Sequence, residues 1–460
     1  MSDLSAERSS PHSGKTRRWF AIAWRNFCRL VVKVFYRKFE ISGTENIPDN
    51  VGIIFCANHV NALADAVVLQ AATEKAIRPL ARSGLFENRL FKPLLDMIGA
   101  VPIYRRKDKD SDVSRNEDSF RRVYELLGEN QALIIFPEGQ SHDAPHLSEL
   151  KTGAARMALG AIEVNGVAPV VLPVGLTFTG KGKFRSGVLV QFGEPVDLSI
   201  PEKMDNYDAV HLITDRIKEG LTEVTLNAES WEDINLMGRL EQFFALRHGK
   251  YHHRSLKQRF RTLQRLIEAQ HLLRVHEPDR VRSLITHLKN FERLCRYCGV
   301  RDYHLTIKYQ PALIGIYIVR TLFILIVALP VGLWGVINSI IPFELTRHLA
   351  KKIAKGTDQY DTTKMLLGML LFTVFWGLQI FFVFKQFGLE WAMAYLISLM
   401  IGAAVALRMR GENKRIRENL KVFFIFLRKR QLKEYLQNKQ HELEVELAKL
   451  VRIANRLSVT

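Results

Sequence analysis

Two short apolar segments each end in residue types that can move protons. Residues 51–57 (VGIIFCA) lead into His59, and Asp65 follows six positions after the histidine. Residues 132–136 (ALIIF) lead into Glu138. An imidazole titrates near neutral pH, which suits it to proton transfer. Because both segments are typical of buried β-strands, the pattern indicates one reaction site at the carboxyl edge of a sheet.

A simpler interpretation of the first segment is a helix-capping Asn58 followed by an incidental histidine and aspartate. Two further blocks argue against it: residues 99–106 (GAVPIYRR) lie between the two strands, and residues 170–174 (VVLPV) follow them. In this order and at these separations, the four blocks resemble the motif series of the glycerolipid acyltransferase superfamily. Its members acylate glycerol 3-phosphate or 1-acylglycerol 3-phosphate, and the resemblance covers residues 38–200.

Two positions depart from the usual pattern of that superfamily. Five residues separate His59 from Asp65 where four are usual, and the form NH-x-N-x-x-x-D resembles one branch of the superfamily. The third block reads FPEGQS instead of FPEGTRS. An arginine that commonly helps to hold phosphate is therefore absent at Gln140 or Ser141.

The resemblance implies transfer of an acyl group from a thioester to a hydroxyl. We expect His59 to be the general base that removes the hydroxyl proton. Asp65 would accept a hydrogen bond from the other imidazole nitrogen, which fixes the tautomer and stabilises the imidazolium. On one regular helix, six positions correspond to about 600° of rotation and about 9 Å of rise. We therefore predict that His59 lies in the loop before a helix and Asp65 in its first turns.

Four more residues are expected to bind substrate. Asn58 and Asn61 are predicted to cap the start of the same helix, where unpaired N–H groups also help to hold an anion or oxyanion. Glu138 and Gly139 resemble the acceptor-binding block of the superfamily, and glycine lets the backbone approach a ligand closely. From the residues alone, a solvated Glu138 is the alternative.

Cations near these blocks are predicted to bind the phosphate of the acceptor. Arg105 and Arg106 follow a strand-like segment, and a guanidinium fork matches phosphate geometry. The alternative is a solvated basic run, since Lys107 and Lys109 continue it. Lys151 is a candidate second cation that would compensate for the absent arginine.

The amino-acid composition limits which classes of partner the protein can have. The chain has 66 Lys and Arg against 47 Asp and Glu, a formal net charge of +19. Its long apolar stretches favour anionic membrane lipids as partners, and we expect no nucleic acid. Four cysteines do not suggest a disulfide framework, and the lone Cys295–Cys298 pair is a weak metal signal. We expect no metal and no cofactor, with an acyl-CoA or acyl carrier protein thioester as co-substrate.

Alternating apolar strands and helical segments predict an α/β fold, with a mostly parallel sheet sandwiched by helices. A helical region and a C-terminal helical membrane domain are predicted to follow it. The predicted organisation is a disordered N-terminus (1–17), an interfacial amphipathic helix (18–37), the α/β domain (38–205), a basic helical region (206–310), a transmembrane region (311–407) and a charged helical tail (408–460).

The transmembrane region contains three apolar stretches. Residues 365–384 and 389–407 match the roughly 20 residues that span a bilayer core. Residues 311–343 are too long for one upright crossing, which predicts a hairpin or re-entrant pair bent at Pro330. Lysine and arginine in residues 344–364 and in the tail place both in the cytoplasm by the positive-inside rule. We therefore expect an integral membrane protein with its active site on the cytoplasmic face.

The favoured function is a membrane-bound O-acyltransferase acting on a phosphorylated glycerol or lysophospholipid acceptor. One alternative is a phospholipid-remodelling transacylase, which would act without any thioester. Another is a catalytically inert, membrane-tethered basic module that binds lipid or nucleic acid. Binding by such a module would survive the change His59→Ala.

Overall fold

The structure, a computed structural model, describes residues 11–89, 92–104, 116–247, 255–301, 304–305 and 329–457, with a few further residues between 316 and 328. The chain divides into two compact units. The first comprises Met1–Trp231, Ser255–Lys257 and Ala354–Met365, and the second comprises Glu232–Arg254, Gln258–Ile353 and Leu366–Thr460. Residues from late in the chain therefore belong to the first unit.

A seven-stranded sheet forms the centre of the first unit. Its strands are β1 (Lys38–Ser42), β2 (Ile53–Ala57), β3 (Ile77–Arg82), β4 (Val101–Ile103), β5 (Ala132–Ile135), β6 (Val170–Phe178) and β7 (Gly187–Phe192). The spatial order is β1-β7-β6-β2-β5-β3-β4, and every pairing is parallel except the β6–β7 hairpin. The predicted mostly parallel sheet is confirmed.

Strand β2 lies in the middle of this sheet, between β5 and β6. Cys56 of β2 is in register with Ile135 of β5, so the two strands end side by side. Parallel strands present their carboxyl ends at one edge, which brings the residues after β2 and β5 together.

Both faces of β2 are buried. Ile53 and Phe55 pack in one apolar cluster with two helices, Pro11–Phe35 and Leu63–Ala72. Ile54 and Cys56 pack in another cluster with three helices, Asn116–Gly128, Gly153–Asn165 and Asn206–Val224. Successive side chains of a strand point to opposite faces, so burial on both sides requires an unbroken apolar run. The helices of this unit are α1 (Pro11–Phe35), α2 (Leu63–Ala72), α3 (Lys92–Met97), α4 (Asn116–Gly128), α5 (Gly153–Asn165) and α6 (Asn206–Val224).

Two strands, β1 and β3, were not predicted from the sequence. Charged residues interrupt both of them, and β3 contains Pro79, which is unusual inside a sheet. Their apolar character is too weak to distinguish them from loops. Pairing with β7 and β5 is what makes them strands.

Helix α1 begins at Pro11, so residues 11–17 are helical, whereas the sequence predicted disorder there. Proline is well tolerated in the first turn of a helix because the missing N–H has no partner there in any case. Residues 1–10 lie outside the described part of the chain.

The two faces of α1 are both apolar. Cys28 and Val32 are fully buried in the core, and burial raises the pKa of the Cys28 thiol to about 12. Trp19, Phe27 and Leu30 lie exposed on the surface. An apolar outer face of this kind is typical of a helix at a membrane surface.

The second unit is helical in its described residues. Its helices are α7 (Trp231–Arg247), α8 (Leu256–His276), α9 (Pro278–Cys298), α10 (Leu329–Ile353), α11 (Tyr360–Phe387), α12 (Leu389–Arg428) and α13 (Arg430–Leu457), of which α7, α8 and α11 begin in the first unit. Leu240 of α7, Leu288 of α9 and Leu447 of α13 share one apolar core. The C-terminal tail thus packs on the basic helical region.

Within the described residues, three helices are long and apolar enough to cross a membrane: Leu329–Ile353, Thr357–Phe387 and Leu389–Arg410. The last two confirm the apolar helices predicted at 365–384 and 389–407. The first part of the hairpin predicted over 311–343 lies largely outside the described residues. From Leu329 the chain forms one helix that continues ten residues past Phe343, to Ile353.

Candidate active site

His59 lies in the loop between β2 and α2, and Asp65 lies in the first turn of α2, as their spacing predicts. Nδ1 of His59 is 3.0 Å from Oδ2 of Asp65. The Asp65 side chain is fully buried, whereas 18% of the histidine side chain is exposed. With Nδ1 donating to the carboxylate, Nε2 carries the lone pair. Nε2 makes no hydrogen bond within the described part of the chain, so it is the nitrogen that can accept a proton.

One oxygen of Asp65 organises the loop around it. Oδ2 also accepts hydrogen bonds from the backbone N–H groups of Val60, at 2.9 Å, and Asn61, at 2.7 Å. The chain then turns at Ala62, whose φ of +47° is rare for a residue with a Cβ. Backbone strain of about 1–3 kcal/mol persists only where the surroundings fix the conformation. The bonds to Asp65 provide that constraint.

The residues after β5 form the second wall of the site. The ring of Phe136 stacks on the imidazole of His59, with ring centroids 4.0 Å apart and planes 16° from parallel. Oε1 of Glu138 accepts a hydrogen bond from the backbone N–H of His59 at 2.6 Å. The histidine is therefore held at its backbone, at one ring face and at Nδ1.

Glu138, which the sequence predicts to shape the acceptor site, lies fully buried against this loop. Its Oε2 accepts from the N–H of Ser148 at 2.8 Å and pairs with Nε2 of His142. The backbone N–H of His142 donates to the carbonyl oxygen of His59 at 3.1 Å. Both carboxylate oxygens are thus engaged by protein groups, and Glu138 joins the two loops. Its contact with an acceptor stays a prediction.

Gly139 belongs to the third block, and Lys151 is hydrogen-bonded to it. Gly139 has a φ of +74°, a left-handed conformation that a residue with a side chain adopts only at a cost. The backbone N–H of Lys151 donates to the carbonyl of Pro137 at 2.7 Å. Its ammonium is exposed, 3.5 Å from a carboxylate oxygen of Glu149. Phosphate binding by Lys151 stays a prediction.

Arg105 and Arg106 lie outside the described residues, so their predicted phosphate contacts also stay predictions. The described residues on either side of them lie together. The side chain of Asn116 accepts from the N–H of Tyr104 at 2.9 Å and donates to its carbonyl oxygen at 2.7 Å.

The family model described as Acyltransferase matches residues 38–177, a range that contains His59, Asp65, Glu138 and Gly139. The chain carries an acyltransferase-family domain.

Relatives of this acyltransferase domain include enzymes of both expected acceptor types. The chain is 34% identical over 134 residues to glycerol-3-phosphate O-acyltransferase 1 of Saccharomyces cerevisiae, a match that covers 27% of this chain and 17% of the yeast protein. It is 29% identical over 197 residues to 1-acyl-sn-glycerol-3-phosphate acyltransferase of Streptococcus pneumoniae, which covers 41% of this chain and 67% of that protein. A solved structure, the 1-acyl-sn-glycerophosphate acyltransferase PlsC of Thermotoga maritima, is similar with a TM-score of 0.34 and 21% identity over 47% of this chain and 84% of that chain.

The acyltransferase domain departs from the sequence prediction at Asn58. Instead of capping α2, Asn58 extends the sheet: its Oδ1 accepts from the N–H of Leu176 at 2.7 Å, and its Nδ2 donates to the carbonyl of Leu176 at 3.2 Å. The capping prediction is wrong because the backbone of Leu176 in β6, which is distant in sequence, hydrogen-bonds both the oxygen and the nitrogen of the Asn58 side-chain amide. A substrate contact of Asn58 stays a prediction.

Asn61 does not cap α2 either, since the capping position is Ala62 and carries no side-chain cap. Nδ2 of Asn61 instead donates to Oδ2 of Asp361 at 2.8 Å, and both side chains are fully buried. Sequence reasoning missed Asp361 and its neighbour Thr362, because no spacing relates residues 300 positions apart. The available signal in the sequence was the position of these two polar residues, Asp361 and Thr362, at the start of an apolar helix. A substrate contact of Asn61 stays a prediction.

The candidate site has the parts needed to move one proton. Nε2 of His59 can accept it from a hydroxyl, while Asp65 keeps the imidazole in the productive tautomer. Cys56, three positions before His59, is an unsuitable nucleophile because burial raises the pKa of its thiol. Within the described residues, no group of three or more His, Cys, Asp or Glu could hold a metal ion.

Proposed function

We propose that the protein is a membrane-bound O-acyltransferase that moves a fatty acyl group from an acyl thioester to the hydroxyl of glycerol 3-phosphate or 1-acylglycerol 3-phosphate. The observation that carries this proposal is the 3.0 Å contact between His59 and Asp65 inside the acyltransferase-family domain. The contact leaves Nε2 as the basic nitrogen beside the residues after β5.

In the proposed reaction, Nε2 of His59 removes the proton of the acceptor hydroxyl as its oxygen attacks the thioester carbonyl carbon. The carbon–oxygen ester bond forms, and the carbon–sulfur bond breaks. The imidazolium then returns the proton to the departing thiolate, which leaves as a thiol. Asp65 stabilises the imidazolium between these steps, and no covalent enzyme intermediate is required.

Both acceptors are phosphate monoesters, so the site needs a cation. We propose Arg105, Arg106 and Lys151 for this role, with Gly139 allowing close approach of the backbone to the acceptor. The relatives include a yeast glycerol-3-phosphate enzyme and a bacterial 1-acylglycerol-3-phosphate enzyme, which supports a phosphorylated glycerol as the acceptor class.

Membrane attachment is supported by three features. Three helices have the length and apolarity of membrane spans, α1 exposes an apolar outer face, and the net charge is +19. Lys351 and Lys352 lie in the last turn of α10, and Lys355 lies in the connection between α10 and α11. The positive-inside rule assigns this end of α10 to the cytoplasm. Because part of this connection belongs to the same unit as His59, we propose that the active site also faces the cytoplasm.

Thiol release from a long-chain acyl-CoA tests the proposal. The full-length protein in detergent micelles is supplied with glycerol 3-phosphate, with 1-acylglycerol 3-phosphate or with no acceptor, and His59→Ala and Asp65→Asn are run beside the wild type. We expect acceptor-dependent thiol release by the wild type and loss of it in both variants. Equal rates in all three proteins would remove the proposed mechanism.

The same assay separates the alternatives. A transacylase would form product from a phospholipid donor when the thioester is omitted. An inert binding module would release no thiol in any sample and would bind anionic vesicles equally well with and without His59.

A further inference from the structure

The connection between α10 and α11 leads into a helix turn that packs against the loop between β2 and α2, called the catalytic loop below. Ala354–Met365 belongs to the same compact unit as His59, although it follows that residue by about 300 positions. The first turn of α11 supplies Asp361, which accepts the 2.8 Å hydrogen bond from the side chain of Asn61. Both side chains are fully buried, and breaking a buried hydrogen bond leaves its partner unsatisfied. The bond therefore resists displacement of the loop.

Thr362 makes two bonds to the same loop. Its hydroxyl accepts from the backbone N–H of Ala64 at 3.0 Å and donates to the carbonyl oxygen of Asn61 at 3.0 Å. The N–H of Ala64, in the first turn of α2, also donates to the carbonyl oxygen of Asn61 at 3.1 Å. Thr362 thus adds a side-chain acceptor at the start of α2, one residue before Asp65.

Asn61 connects these contacts to the proton-transfer pair. Its N–H donates to Oδ2 of Asp65, its carbonyl accepts from Thr362, and its side chain donates to Asp361. A shift of Asn61 would change the position of the oxygen that holds Nδ1 of His59. Hydrogen bonds therefore connect α11 to the imidazole of His59 without interruption, through Asn61 and Asp65.

The connection also holds the loop that follows β5. Thr357 donates to Oδ2 of Asp143 at 2.6 Å, and Ser141 pairs with Asp358. Burial by itself would raise the pKa of Asp143, but hydrogen bonds from Lys181 and Thr357 bring it below its ordinary value. The connection and the first turn of α11 together therefore contact both loops that form the site.

We propose that Asp361 and Thr362 are positioning residues for the His59–Asp65 pair, so that the start of an apolar, membrane-capable helix is part of the catalytic apparatus. The proposal rests on the proposed acyltransferase activity, because it assigns these two residues to turnover. A purely stabilising role is the competing explanation. It would lower the unfolding temperature without a selective effect on kcat.

Adjacent threonines in α11 provide a matched test. Thr363 is next to Thr362, but its hydroxyl donates to the carbonyl of Gln359 in the turn before it and contacts neither loop. Thr362→Val and Thr363→Val remove the same hydroxyl from neighbouring positions. Thr362→Ser restores the hydroxyl, and Asp361→Asn keeps an oxygen that can accept from Asn61.

The experiment measures kcat, KM for acyl-CoA and the unfolding temperature of each full-length variant in detergent, with His59→Ala as the inactive reference. Misplacement of a catalytic group by a fraction of an ångström lowers turnover by about tenfold, so we expect that loss in Thr362→Val with KM within about twofold of wild type. Thr363→Val, Thr362→Ser and Asp361→Asn should stay within about threefold of wild type, since their loop contacts remain. Asp361→Ala should lose kcat to the same extent as Thr362→Val, and it replaces that variant if Thr362→Val does not fold.

The outcomes distinguish the two proposals. If His59→Ala keeps full turnover, the proposed function and the positioning role both fall. If His59→Ala is inactive while Thr362→Val turns over as fast as Thr363→Val, only the positioning role falls. A fall in unfolding temperature with unchanged kcat for Thr362→Val and Asp361→Ala overturns it as well.

Discussion

Two histidine–carboxylate pairs lie at the same edge of the sheet and differ in what is left over for chemistry. In the first pair, His59 uses Nδ1 to reach Asp65, and Nε2 has no hydrogen bond in the described part of the chain. In the second, Nε2 of His142 pairs with Glu138, while Nδ1 accepts from the N–H of Ala144 at 3.1 Å. Both ring nitrogens of His142 are occupied, whereas Nε2 of His59 is available for the proposed proton transfer.

The comparison also concerns the carboxylates. Asp65 and Glu138 are both fully buried, and each accepts hydrogen bonds from backbone N–H groups as well as from a histidine ring. Burial of an acid is therefore no guide to its role. What distinguishes the pairs is the second nitrogen of each imidazole, which can be read only from a structure.

The largest expected effect separates the two histidines. His59→Ala removes the proposed general base and should lower kcat by about 10³-fold. His142→Ala should lower kcat less than about tenfold but destabilise the fold by about 1–3 kcal/mol, because Glu138 loses a buried partner. Acyl-CoA turnover and thermal unfolding of both variants check this contrast. A turnover loss in His142→Ala as large as in His59→Ala, at an unchanged unfolding temperature, would assign chemistry to the second pair too.

An intermediate effect is expected at the carboxylate that joins the loops. Glu138→Gln puts an amide N–H₂ group where two protein donors now meet a carboxylate oxygen, and one buried polar group is left unpaired at a cost of about 1–3 kcal/mol. We expect a lower unfolding temperature together with a fall in kcat of about tenfold as the His59 backbone moves. Glu129→Gln is the control, since that residue is exposed and lies outside both loops of the site. Wild-type behaviour of Glu138→Gln would show that the loops hold their positions without this residue.

The smallest effect is a pH dependence in the loop of the second pair. The folded-state pKa of Asp143 lies below its ordinary value of 3.8, so its contribution to stability is present above that value and is lost as the pH falls through the folded-state pKa. The unfolding temperature of Asp143→Asn should therefore lie below that of the wild type at neutral pH. The difference should shrink in acid. A difference that stays constant from neutral to acidic pH would mean that the charge of Asp143 is not what holds this loop.

How much of the site could be predicted depended on how far apart the partners are in sequence. The His59–Asp65 contact was predictable because it is local, and helix geometry excludes most other arrangements for a six-residue separation. The unbroken apolar runs of β2 and β6 identified buried strands for the same reason. β1 and β3 were missed because their pairing partners, and not their own residues, make them strands.

The failures at Asn58 and Asn61 have the opposite cause. Capping was a sound local expectation, since asparagine favours the start of a helix. In the structure, both side chains hydrogen-bond to residues that are distant in sequence: Asn58 to Leu176, and Asn61 to Asp361. A capping rule considers only partners that are close in sequence. A buried amide can instead be hydrogen-bonded by residues that the fold brings close from elsewhere in the chain.

The continuity of α11 has a consequence for the lipid environment. One unbroken helix runs from Tyr360, beside the catalytic loop, to Phe387. An apolar helix tilts when the thickness of the surrounding hydrocarbon differs from its own apolar length. Tilting would pull on Asn61 through Asp361 and Thr362, so turnover should vary between vesicles made from short-, medium- and long-chain phosphatidylcholine. Under the proposed function, the rate of acyl transfer should then depend on bilayer thickness, and Thr362→Val should reduce that dependence.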